Sequence, residues 1–174
     1  MREIEGAVDG HGVRVAVVVS AFHEAVTGGL LRGCVSALRS AGVADDDLLV
    51  VRVPGALELP LAAGRIARRG GYDALVVLGC VIQGDTDHYD FVCAQATRGC
   101  GDVALASGLP LGFGLLTCRT AAQAAARAAD DEHNKGAEAA RAALATAQTL
   151  RAIDTASAQE RPRTGFRPAG EESR

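Results

Sequence analysis

Aromatic residues are scarce in this 174-residue chain: four Phe, two Tyr and no Trp make up 3% of it. Its core must therefore be built from aliphatic and small side chains, and an aromatic ring facing a cavity would stand out, Phe22 and Phe113 being the candidates. The five cysteines, Cys34, Cys80, Cys93, Cys100 and Cys118, are odd in number and contain no Cys-x-x-Cys pair. That speaks against a disulfide framework and a zinc knuckle, and leaves reduced thiols acting as small hydrophobes. No apolar run approaches the ~20 residues that a membrane span needs. The acidic, glycine-bearing stretch from Met1 to Gly12 also lacks the charged-then-apolar order of a secretory signal. A basic stripe is missing too: 18 Lys and Arg against 21 Asp and Glu leave a net charge of -3. Nucleic acid and anionic membrane surfaces are thus poor partners, and a cytoplasmic protein is expected.

What is present suits one globular domain. Hydrophobic residues make up 48% of the chain, enough for a single core at this length. Four apolar runs, Val13 to Val19, Leu48 to Val53, Ala74 to Ile82 and Leu111 to Cys118, are nearly continuous rather than alternating. Strands buried on both faces read this way. Segments of helical spacing lie between them. Leu30, Leu31, Cys34, Val35 and Leu38 mark the first, Leu57, Leu61, Ile66 and Ala67 the second, and residues from about Asp87 to Ser107 the third. Two more follow the last strand, near Ala121 to Ala129 and Lys135 to Ile153. Strand-helix alternation predicts an α/β fold with a parallel sheet, right-handed crossovers and helices on both faces. The alanine-rich last helix can pack on its own sheet or form a subunit surface. The chain divides into an N-terminal arm (1–12), a folded body (13–154) and a tail (155–174) whose composition predicts disorder. No internal repeat is visible.

The strand ends carry the candidate chemistry, because ligands of an open parallel sheet bind beyond the carboxyl ends of its strands. Val81-Ile82-Gln83-Gly84-Asp85-Thr86-Asp87-His88 runs from a buried strand through a glycine turn into a helix start. Backbone NH groups there have no intrahelical partner and sit at the positive end of the macrodipole, which suits a phosphate, with the Thr86 hydroxyl as a further donor. His88 lies about one turn into that helix in this reading, where a neutral imidazole can both take and give a proton. At the first strand end, Phe22 either belongs to the core or stacks on a flat heterocycle. At the second, the free amides near Ala56 and the Glu58 carboxylate can bind hydroxyls, or Glu58 is only a first-turn acid favoured by the dipole. Asp85, Asp87, His88 and Asp90 suggest a divalent metal at first sight, but no second histidine stands at a ligating spacing, and no metal is expected. Arg127 and Lys135 are the candidate cations to offset Asp85 and a phosphate, or they are solvated surface charges.

Five blocks in order carry a resemblance: Ser20-Ala21-Phe22-His23, Pro54-Gly55-Ala56-Leu57-Glu58-Leu59-Pro60, Val81 to Asp90, Gly112-Phe113-Gly114-Leu115-Leu116-Thr117, and Arg127-Ala128 with Asn134-Lys135-Gly136. From about Val13 to Ile153 the chain resembles the lumazine synthases of riboflavin synthesis. The resemblance implies a three-layer α/β/α sandwich with a four-stranded parallel flavodoxin-like sheet. It implies a homo-oligomer, a pentamer, decamer or 60-subunit shell, that condenses 5-amino-6-ribitylaminouracil with 3,4-dihydroxy-2-butanone 4-phosphate and needs no cofactor. Riboflavin synthase is an implied partner. By the same resemblance, Phe22 stacks on the pyrimidine, Ala56, Leu57 and Glu58 hold the ribityl chain, and Val81 and Ile82 contact the pyrimidine. Gly84, Asp85 and Thr86 cradle the phosphate and His88 moves protons. Phe113, Arg127 and Lys135 come from a neighbouring subunit.

The chain also departs from the family pattern. Gln83 stands where a basic residue is usual, His23 where asparagine is common, and Leu57 where an aromatic is frequent. The turn Ala129 to His133 is acidic where shell-forming members often have a small turn with lysine. Two rivals follow: a paralogue that binds a lumazine, a flavin or an assembly partner without turnover, and a general flavodoxin-like nucleotide-binding domain. The second leaves Arg127 and Lys135 unexplained, and no Gly-x-Gly-x-x-Gly follows the first strand.

Overall fold

The computed structural model describes residues 1 and 3–159. Four strands, β1 (Val15–Ser20), β2 (Leu48–Val53), β3 (Ala74–Ile82) and β4 (Leu111–Cys118), form one parallel sheet in the order β2-β1-β3-β4. The inner strands are the most apolar: every residue of β1 is buried, as are the first seven of β3. Edge strand β2 is only half-buried and carries Arg52 on an exposed position. Five helices complete three layers: α1 (Glu24–Ser40), α2 (Glu58–Arg69), α3 (His88–Ser107), α4 (Ala121–Arg127) and α5 (Lys135–Gln159). A short 3-10 turn, Asp45–Asp47, precedes β2.

Alternation along the strands divides the core. Val15, Val17 and Val19 face α1, α4 and α5 together with Leu30, Leu38 and Leu144. Ala16 and Val18 face α2 and α3, where Leu59, Ala63, Ala96 and Cys100 close the other layer. On the first face the helices meet backbone to backbone. A Cβ added at Gly136 would lie 2.0 Å from the Leu30 carbonyl oxygen, and one at Gly29 would lie 2.3 Å from that of Ala128. Either distance is far inside van der Waals contact, so glycine is required at both positions.

Asn134 joins these elements. Fully enclosed at 1% exposure, its side-chain oxygen accepts from the Gly136 and Ala137 amides at 2.9 and 3.1 Å. Its amide donates to the Gly29 and Ala129 carbonyls at 3.2 and 2.8 Å. One side chain thus caps α5 and fastens it to α1.

Two sequence expectations change. Helix α2 turns Leu59, Ala63 and Gly64 inward, while Leu57 and Leu61 are exposed, Leu61 at 70%. The leucines at 57 and 61 were spaced like a buried stripe, but the stripe is offset by two residues. Helix α5 continues past Ile153 to Gln159, so the expected tail does not leave regular structure at Thr155. Ala-Ser-Ala-Gln offers no stop signal there, and Arg151 anchors the last turns through an ion pair with Asp73 at 3.0 Å. The tail from residue 160 lies outside the described residues. The N-terminal arm is tied down: Gly10 N donates to Ala41 O at 2.8 Å, and Gln148 Nε2 donates to Asp9 O at 2.8 Å.

All five cysteines are free thiols, and all but Cys93 are buried. Burial pushes Cys34 up to about 12 and Cys100 up to about 11. An unfolded thiol ionises near ~8.5, so above that pH the unfolded chain releases protons that the folded one retains. Stability should fall as the pH rises from about 9 toward 12, with Cys34 alone costing roughly 3 kcal/mol by pH 11. Thermal unfolding of Cys34→Ala between pH 8 and 11 should show a shallower decline than that of the parent protein. An equal slope would mean that Cys34 is not the titrating group.

Candidate active site

The first strand end, the second and the third converge on one cavity of about 360 Å³ at the carboxyl edge of the sheet. This is where strand order reverses between β1 and β3, the crevice in which open parallel sheets hold ligands. After β1 come Phe22 and His23. The Phe22 ring is 66% exposed, which removes the core alternative. After β2 come Gly55, Ala56, Leu57 and Glu58, leading into α2. Glu58 is half-buried, and its Oε2 accepts from the Gly55 amide at 2.9 Å. The acid therefore braces the turn as well as lining the cavity, with its other oxygen available to a ligand. From β3, the following loop and the start of α3 come Val81, Ile82, Gly84, Thr86 and His88.

His88 is the first residue of α3, not one turn inside it. Asp87 occupies the cap position in helical backbone with no side-chain cap bond, and Gly84 to Asp87 form an exposed loop ahead of the helix. At this first position His88 lies closer to the orphan amides than the sequence spacing implied. Asp85 belongs to the same loop but does not line the cavity.

Three lining residues were not singled out from sequence: Cys80, Tyr89 and Val92. Burial, with the Cys118 thiol nearby, holds the Cys80 thiol up at about 11. Cys80 is therefore a wall and not a nucleophile near neutral pH. Burial likewise raises Tyr89, whose hydroxyl interacts with Thr117 and the Cys93 thiol, so it remains a phenol. The signal for all three was only their position beside named site residues.

Phe113, Arg127 and Lys135 lie elsewhere. They line a second cavity of about 470 Å³ beside β4, α4 and α5. Phe113 is 42% exposed. Arg127 donates to the Gln123 carbonyl at 3.0 Å, and Lys135 pairs with Glu138 one turn along α5. Among the described residues no arginine or lysine lines the first cavity, and Glu58 is the one carboxylate there. One chain thus presents a largely apolar cavity with an exposed aromatic ring, two histidines and the start of α3, and a separate cavity that carries Arg127 and Lys135. Among the described residues no group of three His, Cys, Asp or Glu side chains is arranged to hold a metal, and no helix is long and apolar enough to cross a membrane.

Known proteins share this arrangement of sequence. The family model for 6,7-dimethyl-8-ribityllumazine synthase matches residues 12–151. A 6,7-dimethyl-8-ribityllumazine synthase of Kineococcus radiotolerans is 50% identical over 153 residues, which is 87% of this chain and 92% of that protein. The enzyme of the same name from Anaeromyxobacter dehalogenans is 46% identical over 160 residues, covering 92% of this chain and 99% of its own length. That of Desulfatibacillum aliphaticivorans is 43% identical over 143 residues, 82% of this chain and 92% of the relative. With the sheet order, the cavity at the strand ends and a match spanning nearly the whole folded body, this chain belongs to the 6,7-dimethyl-8-ribityllumazine synthase family.

Proposed function

We propose that the protein condenses 5-amino-6-ribitylaminouracil with 3,4-dihydroxy-2-butanone 4-phosphate to 6,7-dimethyl-8-ribityllumazine, releasing phosphate and water, as a cytoplasmic homo-oligomer built of pentamers. The observation that carries this reading is the cavity that unites the Phe22 face, the start of α2 and the Gly84 to His88 loop in a member of this family. The pyrimidine stacks on Phe22 beside Val81 and Ile82. Its ribityl hydroxyls meet the Ala56 and Leu57 amides and Glu58. The phosphate sits on the Gly84, Asp85 and Thr86 loop at the positive end of α3. The substrate amine attacks the ketone and the carbonyl oxygen leaves as water to give a Schiff base, phosphate is then eliminated, and ring closure on the remaining carbonyl expels a second water, while His88 moves protons. Holding the two reactants together supplies much of the rate, and no cofactor or metal takes part.

The missing positive charge comes from a neighbouring subunit, whose Phe113, Arg127 and Lys135 cover the first cavity. Two open half-sites of opposite character on one chain support this division. The acidic turn at Asp130, Asp131 and Glu132 bears on whether pentamers join further, and riboflavin synthase, which consumes the product, is the natural partner.

Mixing the purified protein with both substrates and following lumazine fluorescence tests the activity. Absence of product with an intact oligomer would leave a binding paralogue. Arg127→Ala should raise KM for the butanone phosphate about 10-fold, as for loss of a charge-assisted contact, and leave KM for the pyrimidine nearly unchanged. Equal effects on both would assign Arg127 to assembly. Light scattering should give a pentamer or a multiple of it. Complementation then tests the shared site: Phe22→Ala and Arg127→Ala damage different halves, so co-assembled rings should recover up to about a quarter of parental turnover from interfaces with two intact halves. No recovery in mixed oligomers would put both halves on one subunit.

A further inference from the structure

Among the described residues, His23 is the only one other than glycine with a positive φ, at φ 59° and ψ 50°. Left-handed backbone disfavours any residue with a Cβ, and outliers of this kind gather where function requires them. Helix capping does not explain it, because the side chain makes no cap bond to α1. The corner is nevertheless firmly held. The His23 carbonyl accepts from Val26 N at 2.8 Å, Thr27 N at 3.0 Å and Thr27 Oγ1 at 3.4 Å. One residue upstream, Phe22 N donates to Pro54 O at 3.2 Å, and Ala21 N donates to Val53 O at 2.7 Å.

The consequence is a defined place for the imidazole. Its centroid lies 4.6 Å from that of the Phe22 ring at an interplanar angle of 67°, the edge-to-face arrangement that aromatic pairs prefer. Both rings line the first cavity, and Phe22 is mostly exposed. An exposed ring hops among rotamers unless something braces it, and ordering it on binding costs affinity.

We infer that His23 is a positioning residue: the left-handed corner presents its imidazole edge to Phe22 and fixes that ring in the orientation that stacks on the flat heterocycle. The inference rests on the heterocycle assignment proposed above and deepens it. His23 acts through Phe22, so its contribution belongs to heterocycle affinity and not to the phosphate or the chemical step.

Fluorescence titration with the lumazine product, together with steady-state kinetics, separates these roles in a double-mutant cycle. His23→Asn removes the ring while tolerating the left-handed backbone. It should weaken lumazine binding and raise KM for the pyrimidine by ~3- to 10-fold. Neither kcat nor KM for the butanone phosphate should move as much as twofold, and the melting temperature should not fall. In a Phe22→Leu background the same change should have no effect on lumazine affinity. An equal loss in both backgrounds would overturn the inference, since His23 would then act independently of Phe22. Unchanged affinity in the parent background would overturn it as well. A parent protein that binds no lumazine at all would overturn both this inference and the functional reading beneath it.

Discussion

Replacing Asn134 with alanine is expected to cost about 3 to 5 kcal/mol, combining a lost helix cap with buried groups left without partners. The reason is the number of functions gathered in one enclosed side chain. Its oxygen serves two amides at the start of α5, and its nitrogen serves two carbonyls, one in α1 and one before α5. Water cannot readily replace it, because the side chain is buried. Asn134→Asp keeps the accepting oxygen for the Gly136 and Ala137 amides but turns a second carboxylate oxygen on the Gly29 and Ala129 carbonyls, so near neutral pH it should cost at least as much as alanine. Thermal unfolding at fixed protein concentration reads the series, with the alanine variant melting lower by on the order of 10 °C. A loss below 1 kcal/mol for alanine would mean that α5 is held by its apolar face alone.

His88→Ala should lower kcat by about 10-fold to 10²-fold, at or below the lower end of the ~10²- to 10⁴-fold range for acid-base groups. The smaller figure is expected because the substrate amine is already nucleophilic and phosphate leaves readily, so juxtaposition supplies much of the acceleration. His88 lines the cavity from the first position of α3, next to Thr86 and the loop proposed to hold phosphate. It is exposed and supports no core packing. The variant should therefore assemble normally and show unchanged KM values for both substrates. Steady-state rates from pH 6 to 8 check this, with parent and variant compared at each pH. Full kcat throughout that range would make His88 a polar wall and leave proton transfer to water or to the substrate phosphate.

The sheet was legible because burial on both faces leaves little room for ambiguity. The runs at 48–53, 74–82 and 111–118 became β2, β3 and β4 with those bounds, and β1 differs only in starting at Val15 and including Ser20. Helix faces were less legible. Leu57 and Leu61 fit an apolar spacing, but small Ala63 and Gly64 can approach neighbouring elements more closely and take the buried side. Likewise, polar residues between Gly84 and Asp87 fit a first helical turn equally well as the loop they form. The site residues after three different strands could be grouped from the rule for parallel sheets alone. What the sequence could not convey was that Phe22 faces outward, that Glu58 spends one oxygen on Gly55, or that Arg127 and Lys135 open into a different cavity. Asn134 had a signal, an asparagine just ahead of an alanine-rich helix, but its two donated bonds depend on the docking of α1.

The backbone contact between α1 and α5 bears on how such a chain can diverge. With the Leu30 carbonyl of α1 against Gly136 of α5, even alanine is excluded there, so selection at this position acts on size before polarity. Arg141 and Thr146, exposed on the other side of the same helix, are free of that limit. Lineages should accordingly accumulate changes of charge along the outside of α5 while its inner seam stays almost fixed, and any enlargement of the seam would have to be matched by a simultaneous change in the opposing helix.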